Sequence, residues 1–578
     1  VSYRFFVLLL IVSAEFGCQK KAAGPPPRYA FVRFENLTGD PSLEWTARAA
    51  SELLPLSLSG AMDGPVLNSE GLERLATALG PRVSAAPGIS TESSEAVLAG
   101  ATRVFSGYVE RLPGGVLRIV STVEELSTGK SLRTVSAEDR SLLGALGKLA
   151  REITPAAKPL PTTNDTAVRL YATALESQAG AAAEDLGQAV RLDPEFGSPW
   201  LALARLDVAR GSREEAAELI GQARRQKLDA LTLAKLDATA ATLNNAPASV
   251  RIAAERKVAL LSPADTVLLR SVAQSEIDAG EFASGAEDWK KIADALPNDP
   301  PTWNAVGYAR SYAGDYNGAL AALREYARLR PQDANPLDSI GDLNYRFRKY
   351  GDAAASYQQA SAKDPAFDRY GDLYKTAWAK FKAGDKAGAD AAFAAFRAAR
   401  EKSGDLLIVL PEADWLYRTG RGDRGFASLR QSVASAQLQP LRDSGYLQLA
   451  IWDLLAGDRV KAAADAMAAG PVTTAPVALA RFIALPSASA AEWEARANSM
   501  LAGPAMASLR PLALGYALLL DGKREAATPV WQNIAAQTRA TDFFLHAIAT
   551  RLEGKSIAYD LLPDPNTLNP FSAVLDKL

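Results

Sequence analysis

The chain carries one cysteine, Cys18, and one histidine, His546, among its 578 residues. These two side chains set the first limits on chemistry. A lone cysteine forms no internal disulfide and no cysteine-rich zinc site, and a lone histidine excludes multi-histidine metal centres within one subunit. The familiar nucleophile triads need a partner histidine beside the nucleophile, whereas a serine–lysine or carboxylate site does not. His546 lies in an apolar helical stretch, TDFFLHAIAT, where a packed or capping role is expected. Gly420-Arg421-Gly422-Asp423-Arg424-Gly425 spells a dinucleotide fingerprint, but it follows no strand pattern and sits at a helix–helix turn. Carboxylates are plentiful but fall on solvated helix faces. The expectation is no catalytic residue, no cofactor and no metal. Lys+Arg (64) and Asp+Glu (66) leave a net charge of −2 with no long basic block, so the electrostatic footprint of a nucleic-acid binder is missing.

Cys18 does have a context. Arg4 precedes an uninterrupted apolar run, Phe5 to Val12, too short to cross a bilayer but the right size for a signal-peptide core. Gly17-Cys18 follows, then Gln19-Lys20-Lys21 and Gly24-Pro25-Pro26-Pro27. This resembles a bacterial lipoprotein signal, although Glu15 and Phe16 depart from the usual aliphatic-then-small pair. The resemblance implies a signal over 1–18, acylation of Cys18, a polar tether over 19–27 and membrane attachment through the lipid. The expected location is the cell envelope, facing the periplasm, on the outer membrane more than the inner.

Residues 28–155 read as a small α/β domain. Tyr29–Phe34 alternates as a strand does, Glu35 to Pro41 is turn chemistry, and Leu43–Leu58 has a helical pattern that Pro55 should bend or break. A second helix is expected over Ser69–Leu79. From Ala101 the period becomes two: strands over Thr102–Glu110, Val116–Glu124 and Leu132–Ser136, joined by tight turns, predict an antiparallel meander. A helix over Leu142–Ile153 closes the unit. FENLTGDP (Phe34 to Pro41) and VFSGYVERLPGGVLRIVSTVEELSTGKS (Val104 to Ser131) are similar to the TolB-type amino-terminal domain, with Arg33 where relatives usually carry proline. That resemblance implies a protein-contact module without a cofactor.

Thr154 to Asn164 is rich in proline and threonine and marks a boundary, with 156–164 as linker. Beyond it the chain repeats. Pro263, Pro297, Pro331 and Pro365 stand 34 residues apart; so do Ala273, Gly307 and Gly341, and Phe282, Tyr316 and Tyr350. This spacing and these residue types are identified as the tetratricopeptide pattern. The resemblance covers most of 165–555, is strongest over 263–400, and leaves 556–578 as a carboxy-terminal tail. It implies a mainly α fold: a right-handed solenoid of helical hairpins in which each pair covers the next, preceded by the small α/β domain.

Aligned on the repeat, the concave side holds Asn304, Tyr308, Tyr312, Asp338, Asp342, Tyr345, Arg346, Tyr374, Trp378 and Phe381. Tyrosine, tryptophan and arginine are typical interface anchors, so the groove is expected to bind an extended peptide or loop of another protein. The acidic pair Asp338 and Asp342 speaks against the carboxylate clamp of some relatives. Several of these rings would equally pack inside the solenoid. The chain therefore reads as a non-enzymatic scaffold at the envelope. Two rivals stay open: an envelope hydrolase acting on cell-wall polymers, which a buried carboxylate pair in a closed pocket would favour, and a cytoplasmic, membrane-anchored regulatory chain.

Overall fold

The computed structural model describes residues 27–67, 96–97, 100–263, 265–503, 506–566 and 569–578. The signal expected over 1–18 with Cys18, the tether but for Pro27, and the helix expected over Ser69–Leu79 lie outside them. The chain divides into two compact units, 1–269 and 270–578. Among the described residues no helix is long and apolar enough to cross a membrane.

The first unit opens with a mixed sheet. Its strands are β1 (Tyr29–Phe31), β2 (Glu35–Asn36), β3 (Val66–Leu67), β4 (Arg103–Arg111), β5 (Leu117–Glu125) and β6 (Lys130–Asp139). Their order is β3-β1-β4-β5-β6, with β2 beside β4. β1 lies parallel to both neighbours, while β4, β5 and β6 form the expected antiparallel meander. The strand expected over Tyr29–Phe34 is shorter because Phe34 leaves the ladder: its N–H donates to Ser51 Oγ at 2.8 Å. Helix α1 (Glu44–Leu58) runs through Pro55 unbroken. The proline sits in the last turn, where only the Ser51 carbonyl loses its partner, and the Ser59 N–H still reaches the Pro55 carbonyl at 2.9 Å. Helix α2 (Leu142–Ile153) starts where Ser141 Oγ caps the Gly144 N–H at 3.0 Å and lays Leu142, Leu146 and Leu149 on the sheet.

Helices α3 (Asp165–Leu175) to α8 (Ala248–Leu261) follow as hairpins: α4 (Ala179–Leu192), α5 (Gly197–Arg210), α6 (Arg213–Ala223) and α7 (Ala230–Leu243) lie between. Residues 156–164 do not separate two cores. Val168, Tyr171, Leu186 and Phe196 of the hairpins share one apolar cluster with Phe31, Leu53, Ile119 and Leu146. The connecting chain is itself anchored, with the Lys158 N–H donating to the Ser57 carbonyl at 2.9 Å.

Helix α9 (Thr266–Asp278) leads into the second unit, which continues with α10 (Phe282–Ala295), α11 (Pro300–Tyr312), α12 (Tyr316–Leu329), α13 (Asn335–Arg346), α14 (Tyr350–Lys363), α15 (Gly371–Lys382) and α16 (Lys386–Lys402). Then come α17 (Val409–Arg418), α18 (Gly422–Ser435), α19 (Gln439–Leu455), α20 (Arg459–Ala468), α21 (Ala475–Ile483), α22 (Ala490–Met500), α23 (Leu509–Leu520), α24 (Arg524–Gln537), α25 (Phe543–Leu552) and the short α26 (Ser572–Lys577). Consecutive helices pack on one another in most of the series, most extensively α11 on α12, α13 on α14 and α15 on α16. Pro297, Pro331 and Pro365 each stand two residues beyond a helix end, where the missing N–H costs nothing. A Cβ on Gly307 would meet Leu323 at 2.5 Å, one on Gly341 would meet Tyr357 at 2.4 Å, and one on Gly515 would meet Trp531 at 2.9 Å. The glycine thus seats a bulky side chain sixteen residues on, while Ala319, Ala353 and Ala527, twelve residues on, are fully buried.

This second array turns back on itself. The Ala540 N–H donates to the Asp278 carbonyl at 2.9 Å, and Phe543 at the start of α25 meets Phe282 and Tyr312, with ring centroids 6.4 and 5.0 Å apart.

Candidate protein-binding groove

The first helices of the central repeats, α11, α13 and α15, carry the ten expected groove positions at spacings of three and four, which places them along one face of each helix. Seven of the ten, Tyr308, Tyr312, Asp342, Tyr345, Arg346, Tyr374 and Trp378, line one cavity of about 730 Å³. Asn304, Asp338 and Phe381 do not. Tyr345, Tyr374 and Trp378 are also core residues: Trp378 meets Trp415 at 4.9 Å and Tyr374 meets Phe396 at 5.2 Å, edge-on or tilted. Their truncation to alanine would open the core, so they are poor probes of binding.

Behind the cavity wall lies a polar cluster. Lys375 Nζ reaches Asp338 Oδ1 at 2.6 Å and Asp342 Oδ1 at 3.0 Å, and Asp342 also accepts from Tyr308 Oη and Tyr357 Oη, each at 2.9 Å. The acidic residues that speak against a carboxylate clamp thus hold a lysine of their own chain. Asp372, on the same helix as Lys375, is buried, and burial followed by the Asp338 charge pushes its carboxyl up to about 9. Both of its carboxyl oxygens are buried without a hydrogen-bond partner among the described residues. Burial also raises Asp338, and Lys375 opposes that rise. Lys375 carries no repeat signature. The chain between α14 and α15 has seven residues, against five between α12 and α13 and four between α10 and α11; Asp368, Arg369 and Tyr370, all at positive φ, lie in it.

Arg346 is different. It is 6% exposed and lines the cavity, and its guanidinium lies over Phe543, Tyr559 and Tyr312 at 3.9, 4.4 and 5.0 Å. Among the described residues no carboxylate pairs with it, its Nε has no hydrogen bond, and burial lowers its pKa. Cation–π contacts offset part of the desolvation cost.

Of residues 556–578, which the sequence reads as a tail, the stretch 557–566 is seated on this face. The Asp560 N–H donates to the Arg346 carbonyl at 2.9 Å, and Arg348 Nη2 donates to the Ile557 carbonyl at 2.6 Å. Tyr350 Oη donates to Asp560 Oδ2 at 2.8 Å, and Lys382 Nζ lies 3.4 Å from the same oxygen. Further on, Asn566 Nδ2 donates to Asp368 Oδ1 at 3.0 Å while Arg400 Nη1 donates to Asn566 Oδ1 at 3.0 Å, and Arg418 pairs with Asp576 at 2.7 Å. Phe571 stacks on Tyr516 with centroids 3.4 Å apart. Tyr559 to Asp564 line the cavity opposite the helices. Sequence reasoning gave these residues no role, since irregular chain has no period to read.

His546 Nε2 lies 3.0 Å from the Arg539 carbonyl, a local contact of a loop and helix start. Arg421 of the glycine-rich hexapeptide pairs with Asp390 at 2.8 Å, and Gly420 provides the left-handed turn before α18. Among the described residues no group of three or more His, Cys, Asp or Glu is placed to hold a metal ion.

No family model and no curated protein matches this chain. Among solved structures, the MamA protein is 18% identical over 30% of this chain and 94% of its own, with a TM-score of 0.26. A tetratricopeptide repeat protein from Parabacteroides merdae is 14% identical over 41% of this chain and 93% of its own, TM-score 0.25. PilF of Pseudomonas aeruginosa is 16% identical over 35% and 89%, TM-score 0.26. The tetratricopeptide-type character of this chain lies in its own hairpins: from α9 to α14 paired helices recur about every 34 residues, with glycine or alanine at their close crossings.

Proposed function

We propose that this chain is a non-enzymatic scaffold of the bacterial cell envelope, lipid-anchored at Cys18, that holds partner proteins as extended peptides in the groove of α11, α13 and α15. One observation carries the reading. The groove face already holds non-helical chain, residues 557–564, through both its backbone and its side chains. A surface that seats its own peptide has the donors, acceptors and cavity to seat another. The TolB-type resemblance of the first domain supports a second contact surface near the membrane.

A buried carboxylate pair in a closed pocket would favour the hydrolase reading, and Asp338, Asp342 and Asp372 are buried. Asp338 and Asp372 do not line the cavity, and Asp342, which does, has its oxygens occupied by Tyr308, Tyr357 and Lys375. The arrangement is a structural cluster.

The test is a crosslinking pull-down from membranes with the full chain, comparing the unaltered protein with Tyr312→Ala/Lys382→Ala, two partly exposed groove residues. Capture should fall several-fold with the helical circular dichroism unchanged. Equal capture removes the groove from the proposal. Mass spectrometry of the mature amino terminus tests acylation of Cys18.

A further inference from the structure

Residues 557–564 occupy the groove without satisfying it. Tyr559 supplies one ring of the cage around Arg346, and its hydroxyl donates to the Phe543 carbonyl at 3.3 Å. Asp560 places its carboxylate between Tyr350 and Lys382. Leu561, Leu562 and Pro563 then cover the cavity. Yet the cavity keeps a volume of about 730 Å³, and among the described residues no carboxylate stands within ion-pair distance of the buried Arg346 guanidinium, although Asp542, Asp564 and Asp576 line the same cavity. A buried cation left without a carboxylate is a destabilised state that a better-matched occupant relieves. The position where Asn566 is clamped adds to this: Asp368, Arg369 and Tyr370 have φ of 47, 53 and 66°, a run that L-residues adopt only under constraint.

We infer that the groove selects partner peptides with an aromatic–aspartate pair followed by aliphatic residues, the chemistry of Tyr559-Asp560-Leu561-Leu562, and that 557–564 is the resident competitor such a partner displaces. The inference rests on the groove being the binding surface and adds the partner's chemistry. The aromatic ring stacks on Arg346, and the aspartate meets Tyr350 and Lys382. A further carboxylate reaching Arg346, which the resident segment lacks, gives the incoming chain its advantage. The resident segment lowers the apparent affinity of any partner by the fraction of time it stays seated.

The experiment uses a fluorescent peptide of residues 556–564, Ser-Ile-Ala-Tyr-Asp-Leu-Leu-Pro-Asp, titrated by anisotropy into the full chain and into Tyr559→Ala/Asp560→Ala, which loosens the resident segment. The loosened chain should bind the peptide about tenfold or more tighter than the unaltered chain. A peptide with alanine at its tyrosine and aspartate should not bind. Equal binding by both chains overturns the competitor, and no binding by either overturns the motif. Asp560→Asn, which keeps the shape, is the second variant if the double substitution fails to fold. Hydrogen exchange on the unaltered chain gives an independent reading: saturating peptide should raise exchange at 556–564, and unchanged protection there refutes displacement. If capture in the pull-down depends on Lys382 while the peptide fails to bind, the groove stands and only the motif falls.

Discussion

Replacing Lys375 by methionine tests whether the polar cluster is structural. The ammonium is about one-tenth exposed and makes two charge-assisted contacts, 2.6 Å to Asp338 and 3.0 Å to Asp342. Methionine keeps the length of the side chain and removes the charge, leaving two carboxylates buried beside a third carboxyl, Asp372. Breaking a buried ion pair from one side costs about 3–5 kcal/mol, and that is the expected loss at about pH 8 in urea unfolding followed by circular dichroism. The pH dependence has a fixed sign. The carboxyl of Asp338 is already pushed up by burial and by the Asp342 charge, and Lys375 holds it down. Without the lysine its folded-state pKa rises further. The folded chain then holds a proton that the unfolded chain has lost, so stability falls as pH rises through that window. The penalty should therefore be smaller at about pH 5 than at pH 8, and Asp342→Asn in the same chain should restore part of it. Because repeat arrays can unfold in parts, amide exchange over α13 to α15 locates the loss. A loss under about 1 kcal/mol, or one equal at both pH values, refutes the cluster as a charge-balanced structural unit.

Three further substitutions probe the repeat and its closing segment. Gly341→Ala puts a Cβ 2.4 Å from the Tyr357 ring, so the α13–α14 crossing must open; a loss of about 1–3 kcal/mol is expected by thermal unfolding. Phe571→Ala removes the ring stacked on Tyr516 and should cost about 3 kcal/mol or more, with faster amide exchange across 556–578. Asp414 is 1% exposed and its carboxyl is pushed up to about 6, mainly by burial. Its raised value means the folded state holds the proton longer, so stability declines as pH rises from about 4 to 6. Asp414→Asn should flatten that decline and raise the melting temperature at about pH 8.

The parts of the fold that obey a period were legible in the sequence. The meander β4 to β6 shows alternation and tight turns, and helix α2 shows a serine cap followed by leucines at helical spacing. The repeat from α9 to α16 is written in prolines and glycines that have steric reasons to recur. The expected break at Pro55 did not occur because a proline in a last turn removes a single hydrogen bond. The expected separation at 156–164 also misled, since a proline-rich composition reports a change of local structure and says nothing of whether the apolar faces on either side meet.

The groove was half legible for the same reason. Helical spacing places Tyr308, Arg346 and Trp378 on one side of the array, but whether a ring faces cavity or core depends on its neighbours, and Trp415 and Phe396 lie in later elements. Lys375 was missed because a lysine among helix residues usually means solvent; only the convergence of Asp338 and Asp342 from α13 makes it interior. Residues 557–564 were missed because their contacts are made by backbone and by single side chains without repeat. These omissions share a cause. Periodicity reports what a helix presents, whereas occupancy of the groove depends on chain more than 200 residues away, as the Arg348–Ile557 and Tyr350–Asp560 contacts show. A concave array that turns back on itself brings its own later segments within reach of the groove. Seven of the expected groove residues line the same cavity as Tyr559 to Asp564. Under the displacement proposed above, binding a partner and releasing a segment of its own chain are one equilibrium.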